Sequence, residues 1–155
     1  MMHVIAGKAV MLKEANTTEF KNYAQQVVLN AKHLATHLID GGFNLVTGGT
    51  DNHLLLLDIR DRGITGREAA NTLEKAGIVC NFNSVPFDDR PVREGGGIRL
   101  GTPAITSRGL KTEHMSLVAN WITRALHDVN NEDELKVISR EITTLLNEFA
   151  TPGIA

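Results

Sequence analysis

A single arginine, Arg99, stands in a glycine-rich segment that could bind a small anion. The segment from Gly95 to Gly109 reads GGGIRLGTPAITSRG, and its glycines predict a bend between a loop and the start of a helix. The planar guanidinium of arginine can donate to both oxygens of a carboxylate, and glycines let the backbone approach a small ligand closely. The residues alone leave two interpretations open: a site for a small acid, or a surface turn with a solvated arginine.

The histidines could bind a metal only if they came together with further ligands. His33 and His37 have the i, i+4 spacing that places two imidazoles on one face of a helix. A zinc site needs at least a third protein ligand, and the intervening residues 34–36 do not give the HExxH pattern. His53 follows two polar residues in a region where a hydrogen-bonded turn is expected rather than a catalytic triad. The sequence therefore predicts no metal site.

Nucleophilic and phosphate-binding motifs are also incomplete. The glycines at 95–97 are not followed by the Lys-Ser or Lys-Thr of a P-loop, and no serine lies in a nucleophile elbow. The carboxylate pairs Asp88/Asp89 and Asp58/Asp61 lie in or beside predicted loops, where solvated charge is the usual state. The residues thus predict a carboxylate-binding arginine and no catalytic residues in this chain.

Apolar periodicity, caps and glycines predict the elements that position Arg99. The predicted helices are His3–Leu12, a helix from the cap region Asn16–Glu19 to Ile39, Thr65–Ala76, Thr112–His127 and Glu132–Phe149. The predicted strands are Phe43–Thr47 and Asn52–Ile59, joined by a tight turn at 48–51, then Ile78–Asn81 and Ile98–Gly101. The unbroken run Leu54–Leu57 predicts a strand covered on both faces. The fold class predicted is α+β, a small and largely antiparallel sheet with helices mainly on one face.

Composition narrows the class of protein. A chain of 155 residues with 42% hydrophobic content is long enough for one domain with a core. The formal charge of −2 and the scattered basic residues argue against nucleic acid as a partner. The lone Cys80 excludes an internal disulfide, and no apolar run approaches the ~20 residues that span a bilayer. The N-terminal residues lack the features of a secretory signal, so a cytoplasmic location is expected.

Ordered motifs through most of the chain resemble one enzyme family. They are Gly48-Gly49-Thr50-Asp51-Asn52-His53, Thr65-Gly66-Arg67-Glu68-Ala69, Asn81-Phe82-Asn83-Ser84-Val85-Pro86 and Gly97-Ile98-Arg99-Leu100-Gly101-Thr102-Pro103-Ala104. Together they resemble the C-terminal, small domain of serine hydroxymethyltransferase, from about His3 to Leu126. Several motifs in order and at matching spacing are far more specific than a single glycine pattern.

The resemblance implies a fold-type I pyridoxal-phosphate enzyme that interconverts serine and glycine and passes a one-carbon unit to tetrahydrofolate. Arg99 matches the family's arginine for the substrate carboxylate. Asn83 falls where the family has an asparagine that helps to bind the pterin ring of folate. Many bacterial members have Ser-Pro-Phe at the loop position that Pro91, Val92 and Arg93 occupy in this chain. The resemblance makes these three residues candidates for a folate contact.

The resemblance also implies that essential parts of the enzyme belong to another stretch of protein. None of the lysines follows the run of threonines and the histidine that precede the family's cofactor-anchoring lysine, so covalent pyridoxal phosphate is not expected on this chain. We therefore expect a fragment: a truncated piece, the product of a split gene, or a proteolytic remnant that partners the large domain and forms a homo-oligomer. The expected organisation is one small domain at 1–150, with a helical lead-in at 1–40, an α+β core at 41–128, a terminal helix at 129–150, and a frayed tail at 151–155.

A second hypothesis from another functional class stays open. The chain could be a free-standing binding or oligomerisation module that keeps the fold without catalysis. In that case the apolar strand Leu54–Leu57 and the first helix would form a surface between copies of the chain.

Overall fold

A computed structural model describes residues 1–152, and the predicted tail at 151–155 lies outside that range from residue 153 onward. Two pairs of short strands are separated and flanked by helices along the described chain. The elements are α1 (Met2–Ala15), α2 (Thr18–Asp40), β1 (Asn44–Leu45), β2 (Leu54–Asp58), α3 (Gly66–Lys75), β3 (Asn81–Asn83), β4 (Gly97–Gly101), α4 (Pro103–Ser107), α5 (Met115–His127) and α6 (Glu132–Leu146), with 3₁₀ turns at Arg60–Arg62 and Thr112–His114. No helix within residues 1–152 is both long and apolar enough to cross a membrane.

The strands form one antiparallel sheet, and the predicted α+β class is confirmed. Within the described residues the sheet has four strands in the order β1-β2-β4-β3. Its centre is the pairing of β2 with β4, in which Leu57 lies opposite Ile98 and Leu55 lies opposite Leu100. β3 pairs with the other edge of β4. β4 is therefore an interior strand, hydrogen-bonded on both sides.

Helix starts follow the caps that the sequence predicts. The Thr17 side chain accepts a hydrogen bond from Phe20 N at 3.2 Å at the start of α2. Thr65 and Glu68 form a reciprocal capping box at the start of α3, with Thr65 N donating to Glu68 Oε2 at 2.7 Å. Such caps satisfy N–H groups that have no partner inside the helix.

The helices cover one face of the sheet, as predicted. Leu55, Leu57, Ile98 and Leu100 are buried on that face. They belong to one apolar cluster with side chains from α2, α3, α5 and α6, among them Leu34, Leu38, Leu73, Trp121, Ile122 and Ile138. Burial of this face supplies the main stabilisation of the domain, because apolar area removed from water is the dominant favourable term in folding.

Three details of the sequence prediction are wrong. β2 alternates between buried and accessible positions, with Leu54 37% exposed, so the described chain covers only one face of the Leu54–Leu57 run. The connection between β1 and β2 is a long loop rather than a tight turn at 48–51. The third strand lies at Asn81–Asn83 instead of Ile78–Asn81. Each error concerns non-local pairing, which a local pattern does not specify.

Candidate functional site

Arg99 lies in the middle of β4, which confirms the strand predicted at Ile98–Gly101, whereas the predicted bend at the arginine is wrong. It is opposite Leu56 of β2 and opposite Asn81 of β3. Its neighbours Ile98 and Leu100 are buried on the helix-covered face, so the period of two places the Arg99 side chain on the other face, where it is exposed. We call this second face the open face of the sheet.

The glycines around Arg99 serve close packing rather than a turn. A Cβ atom on Gly97 would lie 2.6 Å from the Leu57 carbonyl oxygen and 2.6 Å from Val85 Cγ1. A Cβ on Gly66, at the start of α3, would lie 2.4 Å from the Gly97 carbonyl oxygen. All three distances are below any normal carbon contact, so only glycine fits where α3 and the loop before β4 approach the strand.

An open cavity of about 600 Å³ lies beside Arg99. Leu54 and Leu56 of β2 form its apolar side, and residues of the loop between β1 and β2 form its polar side. That loop is fixed by its own hydrogen bonds: Thr50 Oγ1 donates to the Leu54 carbonyl at 2.7 Å, and Leu54 N donates to Asn52 Oδ1 at 2.8 Å. Arg99 therefore projects at the edge of a preformed, partly apolar cavity of the size that small ligands occupy.

The Arg99 guanidinium carries its charge without an acidic partner among the described residues. Its one hydrogen bond there is from Nη2 to Asn81 Oδ1 at 3.4 Å. Arg60 lines another open cavity, of about 440 Å³, but its Nη2 lies 2.7 Å from Asp58 Oδ2 and its Nε lies 3.0 Å from Asp58 Oδ1. Arg99 can bind a ligand carboxylate, whereas Arg60 is already bound to a carboxylate of the protein, that of Asp58.

Asn83 shares the open face with Arg99. It lies opposite Gly97, two residues before Arg99 on β4, or roughly 7 Å along the strand. Asn83 is half-buried, and Val85 is buried where it packs against Gly97. The structure thus brings the two site residues predicted from the sequence to neighbouring positions on one face.

The loop between β3 and β4 is held by the Asp88 carboxylate. Asp88 Oδ2 accepts hydrogen bonds from Gly96 N at 2.7 Å and from Val85 N at 3.1 Å, and Oδ1 accepts from Arg90 N at 3.1 Å. Burial opposes ionisation of this group, but the three N–H donors outweigh that effect and lower the pKa of Asp88. The carboxylate therefore joins the two ends of the loop next to Asn83.

Arginines attach the same loop to the rest of the domain. Arg60 Nη1 donates to the Phe87 carbonyl at 2.9 Å, and the Arg90 guanidinium donates to the Ile64 carbonyl. The hydrogen bonds from Arg60 to Asp58 lower the pKa of Asp58 against the opposing effect of burial. Arg67 Nε donates to the Arg93 carbonyl at 2.7 Å, so main-chain oxygens along the loop are occupied.

Pro91, Val92 and Arg93, predicted as folate-loop residues, are exposed and do not line the cavity beside Arg99 in the described chain. The Pro91 carbonyl accepts from Glu94 N at 2.8 Å and from Gly95 N at 3.0 Å, which forms a turn. Val92 is 82% exposed, and Arg93 Nε lies 3.7 Å from Glu94 Oε1. These side chains are available to a ligand or to another part of the protein, and no contact within residues 1–152 directs them toward Arg99.

A buried polar network fixes the end of β4 against α2. Thr102 Oγ1 donates to the Val27 carbonyl at 2.8 Å, and Asn30 Nδ2 donates to Thr106 Oγ1 at 2.8 Å and to the Leu110 carbonyl at 2.9 Å. Thr102 and Asn30 are fully buried, so unsatisfied polar atoms there would be costly. The strand that carries Arg99 is therefore anchored three residues after the arginine.

Sequence reasoning missed Asn81. It lies two residues before Asn83 on β3, so the period of two along a strand was a signal that both amides share one face. Its position opposite Arg99 depends on strand register, which no local pattern showed.

The histidines form no evident metal site. His33 and His37 lie on α2, with His33 exposed, and His53 is exposed beside the loop before β2. Residues 1–152 contain no group of three or more histidine, cysteine, aspartate or glutamate side chains that could hold a metal ion.

Arg99 and Asp51 are the charged residues in the described lining of the cavity beside Arg99. No lysine is found among the described residues that line the cavity beside Arg99. Lys32 contacts the rim, with its Nζ 3.8 Å from Asp51 Oδ1, but is held there as an exposed ion pair.

Comparison with known families agrees with the motifs. A model of the serine hydroxymethyltransferase family matches residues 1–122. The match includes the whole sheet, Arg99, Asn81, Asn83 and the loop between β3 and β4, and it ends within α5. This chain belongs to the serine hydroxymethyltransferase family.

Proposed function

We propose that this chain acts as the small, C-terminal domain of a serine hydroxymethyltransferase. In this role it contributes Arg99, which binds the carboxylate of serine or glycine, and Asn83, which contributes to the folate pocket. The cofactor-anchoring lysine and the rest of the active site belong to a large domain, and the chain is inactive by itself. The observation that supports this most directly is Arg99, unpaired with any acid in the described residues, on a sheet face that this chain leaves open.

The chemistry expected of the whole enzyme is divided between the small domain and the large domain. When bound in the assembled enzyme, pyridoxal phosphate would supply an electron sink for the reacting amino acid, and residues of this chain would help to orient that substrate. Arg99 would fix the carboxylate end of the amino acid by two parallel hydrogen bonds, which restrict both the position and the rotation of the substrate. The anchored end of β4 at Thr102 keeps the arginine backbone in place while the ligand binds.

The rigid loop between β3 and β4 supports the proposed folate contact. Asp88 and the arginines attached to the loop main chain hold Asn83 and the exposed segment at 91–93 in fixed relation to β4. We propose that Pro91, Val92 and Arg93 contact folate or the large domain in the assembled enzyme. Their exposure on this chain is consistent with that proposal.

The test is complementation with the large domain of a family member supplied as a separate chain. We expect serine cleavage to appear only in the mixture, with tetrahydrofolate and pyridoxal phosphate present. Arg99→Ala should raise the KM for serine about 10- to 100-fold, because removing a charge-assisted hydrogen bond costs roughly 1.5–3 kcal/mol. The matched control is Arg140→Ala, which removes an exposed arginine on α6, outside the family match.

The fragment hypothesis can be overturned on the chain alone. The purified chain is incubated with pyridoxal phosphate, reduced with borohydride and analysed by mass spectrometry for a modified lysine. One stoichiometric adduct together with serine cleavage would show that the chain is an active enzyme without a large domain. Complementation that survives Arg99→Ala unchanged would instead remove the carboxylate role of Arg99.

A second candidate function, assembly with further copies of the chain, is favoured by α1. No residue of α1 is buried in the described structure, and its exposed side chains include Val4, Ile5, Val10, Met11 and Leu12. An apolar surface of this kind favours association. Sedimentation that depends on concentration, with no complementation by any large domain, would favour a free-standing oligomerisation module over the enzyme role.

A further inference from the structure

Four positions on the open face surround Arg99, and only one can hydrogen-bond to it through a side chain. Gly97 and Gly101 flank Arg99 on the same face of β4, Leu56 lies opposite on β2, and Asn81 lies opposite on β3. Two of these positions lack a side chain and one is apolar. The amide of Asn81 is the remaining polar group, and its Oδ1 accepts from Arg99 Nη2 at 3.4 Å.

We propose that Asn81 is a positioning residue that orients the Arg99 guanidinium toward a ligand carboxylate. The inference rests on the proposed function, since it concerns the same carboxylate site. The guanidinium donates to Asn81 from one Nη atom, at the long end of hydrogen-bond distances. The other donor groups of Arg99 have no partner in the described chain and stay available at the edge of the cavity lined by Leu54 and Leu56.

A neutral partner is the chemically suitable one for this task. A side-chain amide oxygen accepts a hydrogen bond but carries no net charge, so it orients the arginine without neutralising it. The Asp58 carboxylate does the opposite to Arg60, which it grips through both Nε and Nη2 and so commits to a structural role. An aspartate at position 81 would be expected to convert Arg99 into a pair of that second kind.

The geometry also separates a positioning role from a structural one. Asn81 is exposed, and the backbone pairing of β3 with β4 does not depend on its side chain. Substitutions there should leave the fold intact and the urea unfolding midpoint unchanged, because surface changes away from special backbone features usually alter stability little. Their effect should instead be seen in how Arg99 responds to a carboxylate.

The experiment uses the full chain and follows the arginine Nε–H signals by NMR at mildly acidic pH. Chloride is replaced by acetate at constant ionic strength, and the Arg99 signal is assigned by its loss in Arg99→Lys. We expect the wild-type Arg99 signal to shift in proportion to acetate concentration. Asn81→Asp should reduce that slope by about fivefold or more, and Asn81→Ala by about twofold, as expected for a competing ion pair and for a lost hydrogen bond.

The matched control is Asn71→Asp, which adds the same charge at an exposed position on α3, a helix that packs against the covered face. In this control the Arg99 signal should shift with acetate concentration at the wild-type slope. Urea unfolding midpoints should agree for the wild type and the Asn81 variants, which a purely structural role of Asn81 would not allow.

The two possible failures are distinguishable. If wild-type Arg99 responds to acetate and both Asn81 variants respond equally, the positioning role is overturned while the carboxylate site stands. If the wild-type Arg99 signal does not respond to acetate at all, the carboxylate site fails, and the inference about Asn81 fails with it.

Discussion

The two faces of the sheet use the same strands for different purposes. On the covered face, Leu57 and Ile98 are fully buried against helices, and stability depends on how well they pack. On the open face, β2 presents the exposed Leu54, and β4 presents a charged arginine with one weak polar contact. Adjacent residues of one strand thus face the buried core and the open face in turn, because side chains alternate across the sheet.

The contrast explains why a charged residue on the open face does not weaken the domain. An arginine placed on the covered face would have to be desolvated and paired, at a large cost in free energy. On the open face Arg99 stays hydrated until a ligand or another part of the protein covers it. The position of the arginine within β4 therefore separates its proposed binding role from the folding of the core.

The largest expected effect is the loss of Leu57 from the covered face. Leu57→Ala should lower the free energy of unfolding by about 2–5 kcal/mol, because it leaves a cavity among packed side chains. Urea denaturation monitored by circular dichroism measures the change.

The matched variant on the same strand is Leu54→Ala, which removes an equal number of atoms from the open face. It should cost less than about 1 kcal/mol, because the side chain is already 37% exposed. Similar losses for both variants would show that the open face is covered in solution, for example by a second copy of the chain.

A loss of stability of intermediate size is expected when Arg124, an arginine with two acidic partners, is removed. Arg124 of α5 donates from Nε to Glu134 Oε1 at 2.7 Å and from Nη1 to Glu141 Oε2 at 2.7 Å, which joins α5 to α6. Arg124→Ala should destabilise the chain by about 1–2 kcal/mol, a value reduced by the partial exposure of the groups.

The control is Arg99→Ala, which should change the unfolding midpoint little, within about 0.5 kcal/mol. The two variants remove the same side chain, so the difference between them isolates the contribution of protein partners. A large loss of stability in Arg99→Ala would mean that the arginine is structural and would contradict its assignment to a binding site.

The parts of the fold that sequence could predict are those encoded locally. α2 and α3 begin at their threonine caps because Thr17 and Thr65 each satisfy N–H groups a few residues away. The side of β4 that faces the helices could also be predicted from the sequence, since the apolar Ile98 and Leu100 alternate with the charged Arg99. Local hydrogen bonds and short periods leave direct traces in the sequence.

The parts that could not be predicted depend on contacts between distant segments. The glycines before Arg99 suggested a bend, but Gly97 is required by the Leu57 carbonyl and by Val85, which no local pattern reveals. Arg99 meets Asn81 through strand register across 18 positions of the sequence. The Leu54–Leu57 run looked buried on both faces because apolarity alone does not tell which face the chain itself covers.

The smallest expected effect is on the free energy of unfolding at acidic pH. It again distinguishes charged groups that have protein partners from Arg99, which has no acidic partner in the described chain. Hydrogen bonds from Arg60 lower the pKa of Asp58, and three main-chain donors outweigh burial to lower the pKa of Asp88, both from an ordinary value of 3.8. A lowered pKa in the folded state means that ionised Asp58 and Asp88 contribute their full stability above pH 3.8, and that this contribution is lost as the pH falls through the lowered values.

Asp88→Asn should therefore be less stable than the wild type at neutral pH and should lose less stability on going to lower pH. Arg99→Ala, which breaks no ion pair in the described chain, should keep the wild-type pH profile in urea unfolding measured at a series of pH values. An equal slope for Asp88→Asn and the wild type would show that Asp88 does not hold the loop beside Asn83 in its ionised form.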